Sequence, residues 1–447
     1  MTMPVPLLAW VRTPVVPRHG ALRHHLPHTL AAPLVTHLLQ QTGLPPAAVD
    51  ALLLGNALGA GGNPARMTAL AAGLPLRCMT MTVETQCCSG LDAILMAATQ
   101  ILAGQADVVI AGGSEAWSRA PIRQHRPTRT GEAAQPYERP PFTPWPERDP
   151  DPLLAAAAYA ARHGWTRTQQ DAYARQSHAH ALMHPGDGIL ALQAQPRGCN
   201  HGGGTCTRAD ADANARSGNG NSNGRNDSTS NDSTNGSGND DRRAAAAPTI
   251  SADTYPRPLS DRQLQRMPIL MAEPPDPDGA AAPEGPDCAL SRVAVSPQAD
   301  GAALVLLASE RACRQHGLHP SAWWQAGLAL GTDPETPLTG AWEAAAALLA
   351  RGHPIGASGA IALVQLLARL RHRAGATTCA DATIRAAATA SACTEAIRTS
   401  RPPRQKPRLF PAHPGDRLGL ACITGAGGLG SAALVSVAGT PPGQRSG

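Results

Sequence analysis

Two adjacent cysteines, Cys87 and Cys88, come directly before residues 89 to 102, where apolar side chains recur at helical spacing. A cysteine thiolate can attack a carbonyl carbon and hold the acyl group as a thioester. The start of a helix favours a thiolate, because unpaired backbone N–H groups and the positive end of the helix dipole lie there. Cys87 occupies this place, whereas Cys88 falls in the first turn, where its side chain could point into packing. Because a free cysteine is also a common buried apolar residue, the residue types alone leave open which of the two reacts, if either does.

A histidine and a third cysteine stand beside glycine-rich turns further along the chain. His353 lies in GHPIGASGA, residues 352 to 360, where a proline and a glycine-rich turn lead into a helical pattern. An imidazole on such a rigid turn suits general-base work, although an ordinary loop histidine has the same pattern. Cys422 ends an apolar strand pattern just before GAGGLG, residues 425 to 430. Backbone N–H groups of a glycine loop can approach a ligand closely, so Cys422 is also a candidate for chemistry.

Two further stretches resemble binding motifs but lack features that those motifs need. GAGGLG satisfies the G-x-G-x-x-G pattern of dinucleotide-binding loops, which needs a unit of about 30 residues and an acidic residue after the loop. Only 17 residues follow Gly430 and none is acidic, so we expect no nucleotide there. Cys199, His201 and Cys206 match no familiar zinc spacing, so we expect no metal.

Strand-like and helical patterns alternate around the candidates, which predicts an α/β layered fold. The helical patterns cover residues 33 to 40, 65 to 73, 89 to 102, 159 to 183 and 356 to 373. The strand-like runs cover residues 51 to 58, 79 to 85 and 106 to 113, a further strand enters a helix within 299 to 313, and a terminal pair covers 418 to 425 and 430 to 439. A Ser-Gly pair followed by a helical pattern occurs both after Cys87 and after Gly356, which suggests a duplicated half-domain.

Three stretches lack such patterns. Residues 121 to 150 are rich in Pro, Arg and Glu and predict an extended loop. Residues 200 to 247 are dominated by Gly, Ser, Asn and Asp, with almost nothing to bury, and predict a disordered insert. Residues 373 to 416 are rich in Ala, Arg and Pro and predict an irregular insert.

Composition excludes several classes of protein. The net charge of +5 is mild for 447 residues and no basic run is interleaved with aromatic residues, so we expect no nucleic-acid partner. No apolar run approaches ~18 residues, so we expect no membrane span. The first residues lack a basic region before a continuous apolar run, so we expect no secretory signal. The ten cysteines show no repeating spacing, which indicates a reducing, cytoplasmic setting.

Seven blocks of the chain, taken in order, resemble the thiolase family, which comprises acetyl-CoA acetyltransferases and 3-ketoacyl-CoA thiolases. They are RTP (12 to 14), VDALLLGNALGAGGNPARMTALAAGLP (49 to 75), QCCSGLDAI (86 to 94), ADVVIAGGSEAWSRAP (106 to 121), ADGAALVLLASERA (299 to 312), GHPIGASGA (352 to 360) and CITGAGGLGSA (422 to 432). Several motifs in the right order are far more specific than any one of them alone.

The resemblance implies a role for four residues. The family's C-x-S-G nucleophile falls on Cys87, and Cys88 takes the variable position. The G-H-P histidine, which activates the nucleophile, falls on His353, and the C-terminal cysteine before the glycine loop falls on Cys422. Ser296 matches the serine that the family places against the pantetheine arm of CoA. The implied substrates are acyl-CoA and CoA, with no bound cofactor and no metal.

The resemblance also implies the architecture. We expect the thiolase fold, two similar α/β halves layered α-β-α-β-α with an inserted loop domain. The N-terminal half then covers residues 1 to 310, with the loop domain at about 121 to 252, and the C-terminal half covers residues 311 to 440. Family members assemble as homodimers or homotetramers, and we expect the same here.

One family block is missing, which leaves an alternative open. Thiolases carry an N-E-A-F block whose asparagine holds a water at the oxyanion hole. Here GTDPETPLTGAWEAAAALLARGHPIG, residues 331 to 356, contains no asparagine. Ala294 also stands where the family has an asparagine. The alternative is therefore a catalytically impaired protein of the thiolase fold that acts as a CoA-binding or assembly partner.

Overall fold

The computed structural model describes residues 4–59, 61–183, 186, 188–194, 247–271, 287–341, 343–345, 367 and 417–437. The low-complexity insert, the irregular insert, His353 and the helix predicted over residues 356 to 373 lie outside the described residues, except for Leu367. The cysteine and histidine cluster at 199 to 206 lies outside them as well.

Seven helices are described. They are α1 (Pro27–Thr42), α2 (Pro64–Ala71), α3 (Ser89–Leu102), α4 (Pro152–Arg162), α5 (Arg167–Met183), α6 (Asp261–Gln265) and α7 (Glu310–His316). Proline opens α1, α2 and α4, as expected for a residue whose missing N–H is not needed in the first turn. The Asn63 side chain accepts a hydrogen bond from the Arg66 N–H and so caps α2.

The described strands are fifteen. They are β1 (Val5–Arg12), β2 (Val16–Pro17), β3 (Ala51–Gly55), β4 (Met79–Val83), β5 (Val108–Ala116), β6 (Arg123–His125), β7 (Gln135–Tyr137), β8 (Leu192–Gln193), β9 (Thr249–Ile250), β10 (Ile269–Met271), β11 (Leu290–Ser291), β12 (Ala299–Ala308), β13 (Ala322–Gly331), β14 (Arg417–Gly425) and β15 (Leu429–Val437).

Nine of these strands form one mixed sheet in the order β14-β15-β13-β1-β12-β5-β3-β4, with β2 paired to β12. β3 is parallel to both β4 and β5, and the other pairs are antiparallel. The sheet continues from the N-terminal strands into β13, β15 and β14 because β1 pairs with β13, with Val5 opposite Trp324. The terminal strand pair predicted from the sequence is therefore confirmed as β14 and β15.

Helices cover both faces of this sheet, so the predicted α/β class is confirmed. Successive side chains of a strand point to opposite faces. In β3, Leu52 and Leu54 pack with α1 and α2, whereas Leu53 packs with α3. The α3 face is a continuous apolar cluster that includes Ile94 of α3 and Val435 of β15. α3 therefore lies against strands from both ends of the sheet and is positioned by both.

Two predicted boundaries are corrected. The stretch from 121 to 150, predicted as an extended loop, contains the antiparallel pair β6 and β7. The helix predicted over 159 to 183 is instead α4 and α5, because the chain turns at Gly164, whose φ is +64°. In the described part of the chain, no helix is both long and apolar enough to cross a bilayer.

Candidate active site

The turn between β4 and α3 holds the adjacent cysteines in a fixed conformation. Gln86 has a φ of +55°, an uncommon value for a residue with a side chain. The Ser89 hydroxyl donates to the Gln86 carbonyl at 2.5 Å and accepts from the Thr85 N–H at 2.9 Å. The Glu84 carboxylate accepts from the Gln86 N–H at 2.7 Å. Four hydrogen-bonded neighbours therefore fix the backbone on both sides of Cys87.

Cys87 is exposed and lies just outside the first residue of α3. The sequence predicted that the helix start would favour its thiolate, and the structure gives the opposite net direction. Desolvation by the packed atoms around it raises the pKa of the Cys87 thiol, and the charges of Glu115 and Glu84 raise it further. A hydrogen bond from its own backbone N–H lowers the pKa, but by less. Cys87 therefore needs a base or a change in the nearby charges in order to react as a thiolate.

Cys88 differs from its neighbour in burial and in partners. It is the N-cap residue of α3 and is fully buried. Its Sγ donates to the Ile423 carbonyl of β14 at 3.7 Å. Desolvation raises the pKa of the Cys88 thiol to about 12, although a hydrogen bond to Ser431 opposes this. Cys88 is thus a packed thiol between α3 and the terminal hairpin, which is formed by β14 and β15. The sequence suggested such packing for the second cysteine.

A buried carboxyl group supports the same turn. Asp92 lies in the first turn of α3, where its Oδ2 accepts from the Thr85 hydroxyl at 2.5 Å. Burial raises the pKa of Asp92, and hydrogen bonds to Ser431 and Thr85 lower it in part. Ser431 belongs to β15 and is also buried. Asp92 therefore links the Cys87 turn to the terminal hairpin.

A second carboxyl group, Glu115, lies in β5 near the turn. Its Oε1 accepts from the Asn56 side-chain amide at 2.7 Å, and its Oε2 accepts from the Ala57 N–H at 2.8 Å. Burial raises the pKa of Glu115 to about 7, against the opposing effect of these hydrogen bonds and of Arg123. Glu115 is therefore a carboxyl group that changes charge near neutral pH.

The glycine turn of the terminal hairpin lies against the Cys87 turn. A Cβ built on Gly425 would lie 3.3 Å from Cβ of Gln86 and 3.4 Å from Sγ of Cys88. Gly427 and Gly428 both have a φ of +74°, and a Cβ on Gly428 would lie 2.4 Å from the Thr332 carbonyl. The structure therefore brings the predicted glycine loop onto the two residues that flank Cys87.

Cys422 lies in β14, opposite Ala432 of β15. It is partly exposed and packs with Ala344 and Ala432. Its neighbour Ile423 packs instead with the α3 cluster. Since the two side chains alternate, Cys422 points to the face of the sheet opposite α3. Its predicted role stays a prediction, as does that of His353, which lies outside the described residues.

Ser296 is exposed at the wall of a separate cleft of about 460 Å³. The cleft is also lined by Trp165, Tyr173 and His178, which lie in or just before α5, and by Tyr255. None of the described residues that line it belongs to the Cys87 turn. The predicted contact of Ser296 with a pantetheine arm stays a prediction.

Residues 5–217 match the family description "Thiolase, N-terminal domain". The match covers just under half of the chain, and through this domain the chain is similar to the thiolase family. The matched range contains Cys87 and the carboxyl groups around its turn, Glu84, Asp92 and Glu115.

Two curated relatives match this part of the chain. The putative acetyl-CoA C-acetyltransferase VraB of Staphylococcus epidermidis is 36% identical over 179 residues, which is 40% of this chain and 47% of the relative. The putative acetyl-CoA C-acetyltransferase YhfS of Bacillus subtilis is 42% identical over 161 residues, which is 36% of this chain and 40% of the relative. The chain thus matches less than half the length of these relatives.

The fold extends further than the sequence match. The structure of human mitochondrial 3-ketoacyl-CoA thiolase in complex with CoA superposes with a TM-score of 0.63. It covers 97% of this chain and 98% of its own, at 18% identity. This likeness confirms the thiolase fold predicted from the sequence.

Sequence reasoning missed the two carboxyl groups of the site. Glu115 is an acidic residue in the otherwise apolar and glycine-rich run of β5, and Asp92 is an acidic residue on the apolar face of α3. An acidic residue in a pattern that predicts burial is a signal of a functional or paired group. The positive φ of Gln86 carried no such signal in the sequence.

Proposed function

We propose that this protein is a thiolase-type acyltransferase. It would catalyse the Claisen condensation of acetyl-CoA, or the thiolytic cleavage of 3-ketoacyl-CoA, through an acyl-enzyme on Cys87. The observation that carries the proposal is an exposed cysteine at the start of α3, in a turn fixed by hydrogen bonds and covered by a glycine turn. The names of the curated relatives and of the structural neighbours agree with this reaction.

In the first half-reaction Cys87 loses its proton to His353, and the thiolate attacks the carbonyl carbon of an acyl-CoA. The thioester bond to CoA breaks, the CoA thiolate takes up a proton, and the acyl group stays on Cys87. Backbone N–H groups of the Cys87 turn and of the glycine turn at 425 to 428 are the candidates to stabilise the oxyanion. The raised pKa of Cys87 explains why a base is required.

In the second half-reaction Cys422 removes a proton from the α-carbon of a second acetyl-CoA. The carbanion attacks the acyl-enzyme, a carbon–carbon bond forms, and the Cys87 thiolate leaves. In the degradative direction the CoA thiol accepts the acyl group instead. The thioester itself acidifies the α-proton, so the proposed reaction uses no bound cofactor and no metal.

The proposed setting is cytoplasmic, in keeping with the free thiols of Cys78, Cys87, Cys88 and Cys313. The proposed assembly is a homodimer or homotetramer. Among the described residues β4 ends the sheet, and its outer edge is the proposed place of pairing with a second copy. Acyl-CoA and CoA are the proposed small-molecule partners, with Ser296 placed against the pantetheine arm.

Acyl-enzyme formation tests the proposal directly. The protein is mixed with isotopically labelled acetyl-CoA, quenched in acid and digested, and the label is located by mass spectrometry. We expect label on Cys87, none after Cys87→Ser, and nearly full labelling after Cys88→Ala, because Cys88 is buried away from solvent. In the Cys422→Ser variant, label on Cys87 should persist while exchange of the acetyl-CoA α-protons with deuterium is lost.

Label on Cys88 alone would refute the assignment of the nucleophile. Absence of both label and CoA exchange in a folded protein would favour the alternative, a catalytically impaired protein that binds CoA or an assembly partner.

A further inference from the structure

Glu115 is an acidic side chain held at the end of the central strands. The residues on either side of it in β5, Ser114 and Ala116, are buried. Its two carboxylate oxygens accept hydrogen bonds from Asn56 and Ala57, which follow the last residue of β3. Asn56 is itself buried and also donates to the Ser114 carbonyl at 3.0 Å. The carboxylate therefore has one fixed position.

Close glycine contacts place the start of α3 directly over this position. Gly55 of β3 is paired with Gly113 of β5. A Cβ on Gly55 would lie 2.4 Å from the Gly90 nitrogen, and a Cβ on Gly113 would lie 3.2 Å from Cα of Gly90. No side chain fits between the helix start and the two strand ends. Glu115 follows Gly113 by two positions in β5 and so points to the same face of the sheet, the face that carries α3.

The charges of two carboxylates raise the pKa of Cys87, and these carboxylates differ in exposure. Glu84 is exposed to water on the turn itself, whereas Glu115 is only partly exposed. A charge that is shielded from water acts more strongly on a neighbour than an exposed one. The other titratable groups around the turn are Cys88, Asp92 and Arg123. Asp92 raises the pKa of Cys88, and Arg123 opposes the raised pKa of Glu115.

We propose that Glu115 is a positioning residue that controls the charge of Cys87. With the Glu115 carboxylate charged, the Cys87 thiolate is disfavoured by repulsion, and with a proton on Glu115 the thiolate is favoured. The two groups then titrate as a coupled pair, so ionisation of one draws a proton to the other. The part of Glu115 in acyl transfer rests on the proposed function. The effect of Glu115 on the reactivity of the Cys87 thiol does not.

The sign of the effect follows from the pKa of Glu115, which burial raises to about 7. Below that pH the carboxyl group is neutral and does not raise the pKa of the Cys87 thiol. Above it the carboxylate is charged and raises the pKa of Cys87. On a logarithmic scale, the alkylation rate of Cys87 should therefore rise with pH in two steps that are separated by a shallower slope close to pH 7, where Glu115 ionises, rather than with one uniform slope up to the ionisation of Cys87.

Alkylation by iodoacetamide tests the proposal without any acyl-CoA. The rate at the Cys87 peptide is followed by mass spectrometry from about pH 6 to pH 10, a range that spans ordinary thiol ionisation. In Glu115→Gln we expect a single step with a lower midpoint and a rate about threefold higher at neutral pH. The gain in thiolate is partly offset because a thiolate of lower pKa is a weaker nucleophile.

Two variants serve as matched controls. Glu115→Asp keeps the charge and should keep the two-step profile. Glu84→Gln removes the exposed carboxylate and should shift the midpoint less than Glu115→Gln does, because water already screens its charge. Thermal melting of each variant shows that it is folded.

A single step in the unmutated protein, or equal midpoints in the protein and in Glu115→Gln, would overturn the proposal. A Glu115→Gln rate changed by the same factor at every pH would also overturn it, since that pattern indicates a structural disturbance. If the midpoint shifts but acetyl-CoA fails to label Cys87, the proposed function fails and this inference stands. If labelling succeeds without a shift, the inference fails alone.

Discussion

At the scale of single residues, adjacent positions in the chain acquire unlike chemistry through their surroundings. Cys87 stays accessible between two carboxylates, whereas Cys88 is buried between α3 and β14 with a thiol pKa of about 12. The motif resemblance selected Cys87 from the sequence. The direction of its pKa could not be predicted in that way, because it depends on Glu115, which is 28 positions away in the chain and adjacent only in the fold.

Asp92 allows a test of the buried turn at this scale. Its pKa is raised in the folded protein, so its contribution to stability is fully present below the unfolded pKa and is lost as pH rises through the folded value. Asp92→Asn removes the buried charge and keeps an acceptor for the Thr85 hydroxyl. We expect its free energy of unfolding to exceed that of the unmutated protein by on the order of 1 kcal/mol at neutral pH, and the difference to shrink in acid.

Denaturant unfolding at about pH 5 and about pH 8 compares this difference under acidic and alkaline conditions. The Thr85→Val variant, which loses the hydroxyl but keeps the carboxyl group, serves as the control. It should become less stable as pH rises, more steeply than the unmutated protein, since the charged form of Asp92 then lacks a donor. A stability difference for Asp92→Asn that does not change with pH would contradict this account.

At the scale of elements, the site depends on how closely α3 approaches β3 and β5. Periodicity predicted these elements well, because each has a clear alternation or helical spacing between glycine or proline stops. The exceptions are instructive. The short strands β6 and β7 carry no hydrophobic alternation, and the break between α4 and α5 rests on one glycine within a helical pattern. The close contact of Gly55 with Gly90 is likewise a property of packing and not of local sequence.

Gly55→Ala tests that contact. An alanine Cβ would lie 2.4 Å from backbone atoms of Ser89 and Gly90, so the helix start must shift away from the strands. We expect a loss of about 1–3 kcal/mol in the free energy of unfolding, measured with denaturant. The shift should also slow alkylation of Cys87 at a fixed pH, because the turn then leaves its hydrogen-bonded position.

Gly331→Ala is the matched control for this change. Gly331 also lies in a strand of the sheet, β13, but nothing lies within 4 Å of a Cβ built on it, and its φ is not in the left-handed region. Its substitution should change stability by less than about 0.5 kcal/mol. Equal losses in the two variants would show that alanine is unfavourable in these strands in general, and not that the helix contact is tight.

At the scale of the whole molecule, one continuous sheet joins the N-terminal domain to the terminal hairpin, and long intervening segments connect its strands. The sheet brings Cys88 to Ile423 and Gly425, although more than 300 positions separate them. The order of motifs in the sequence predicted this fold. A buried ion pair also joins β1 to the segment that follows β9. Both amino groups at the end of Arg12, which is 1% exposed, bind the Asp253 carboxylate at 2.7 and 2.9 Å.

The segment from 195 to 246 can be tested for its part in this architecture. Its ends are already joined, because β8 pairs with β9 and the Ala194 N–H donates to the Pro248 carbonyl at 2.9 Å. Its composition offers almost no apolar surface to bury. Deletion of residues 200 to 245 shortens the connection roughly eightfold, which lowers the cost of closing it by ~2 kcal/mol. We therefore expect an unchanged or higher melting temperature and unchanged alkylation of Cys87.

The Asp253→Asn variant is the control for this deletion. It leaves the buried Arg12 without a charged partner, so its free energy of unfolding should fall by about 3 kcal/mol. This loss shows that the melting experiment detects damage beside the connection. A melting temperature that falls as far in the deletion as in Asp253→Asn would show that the deleted residues pack against the fold.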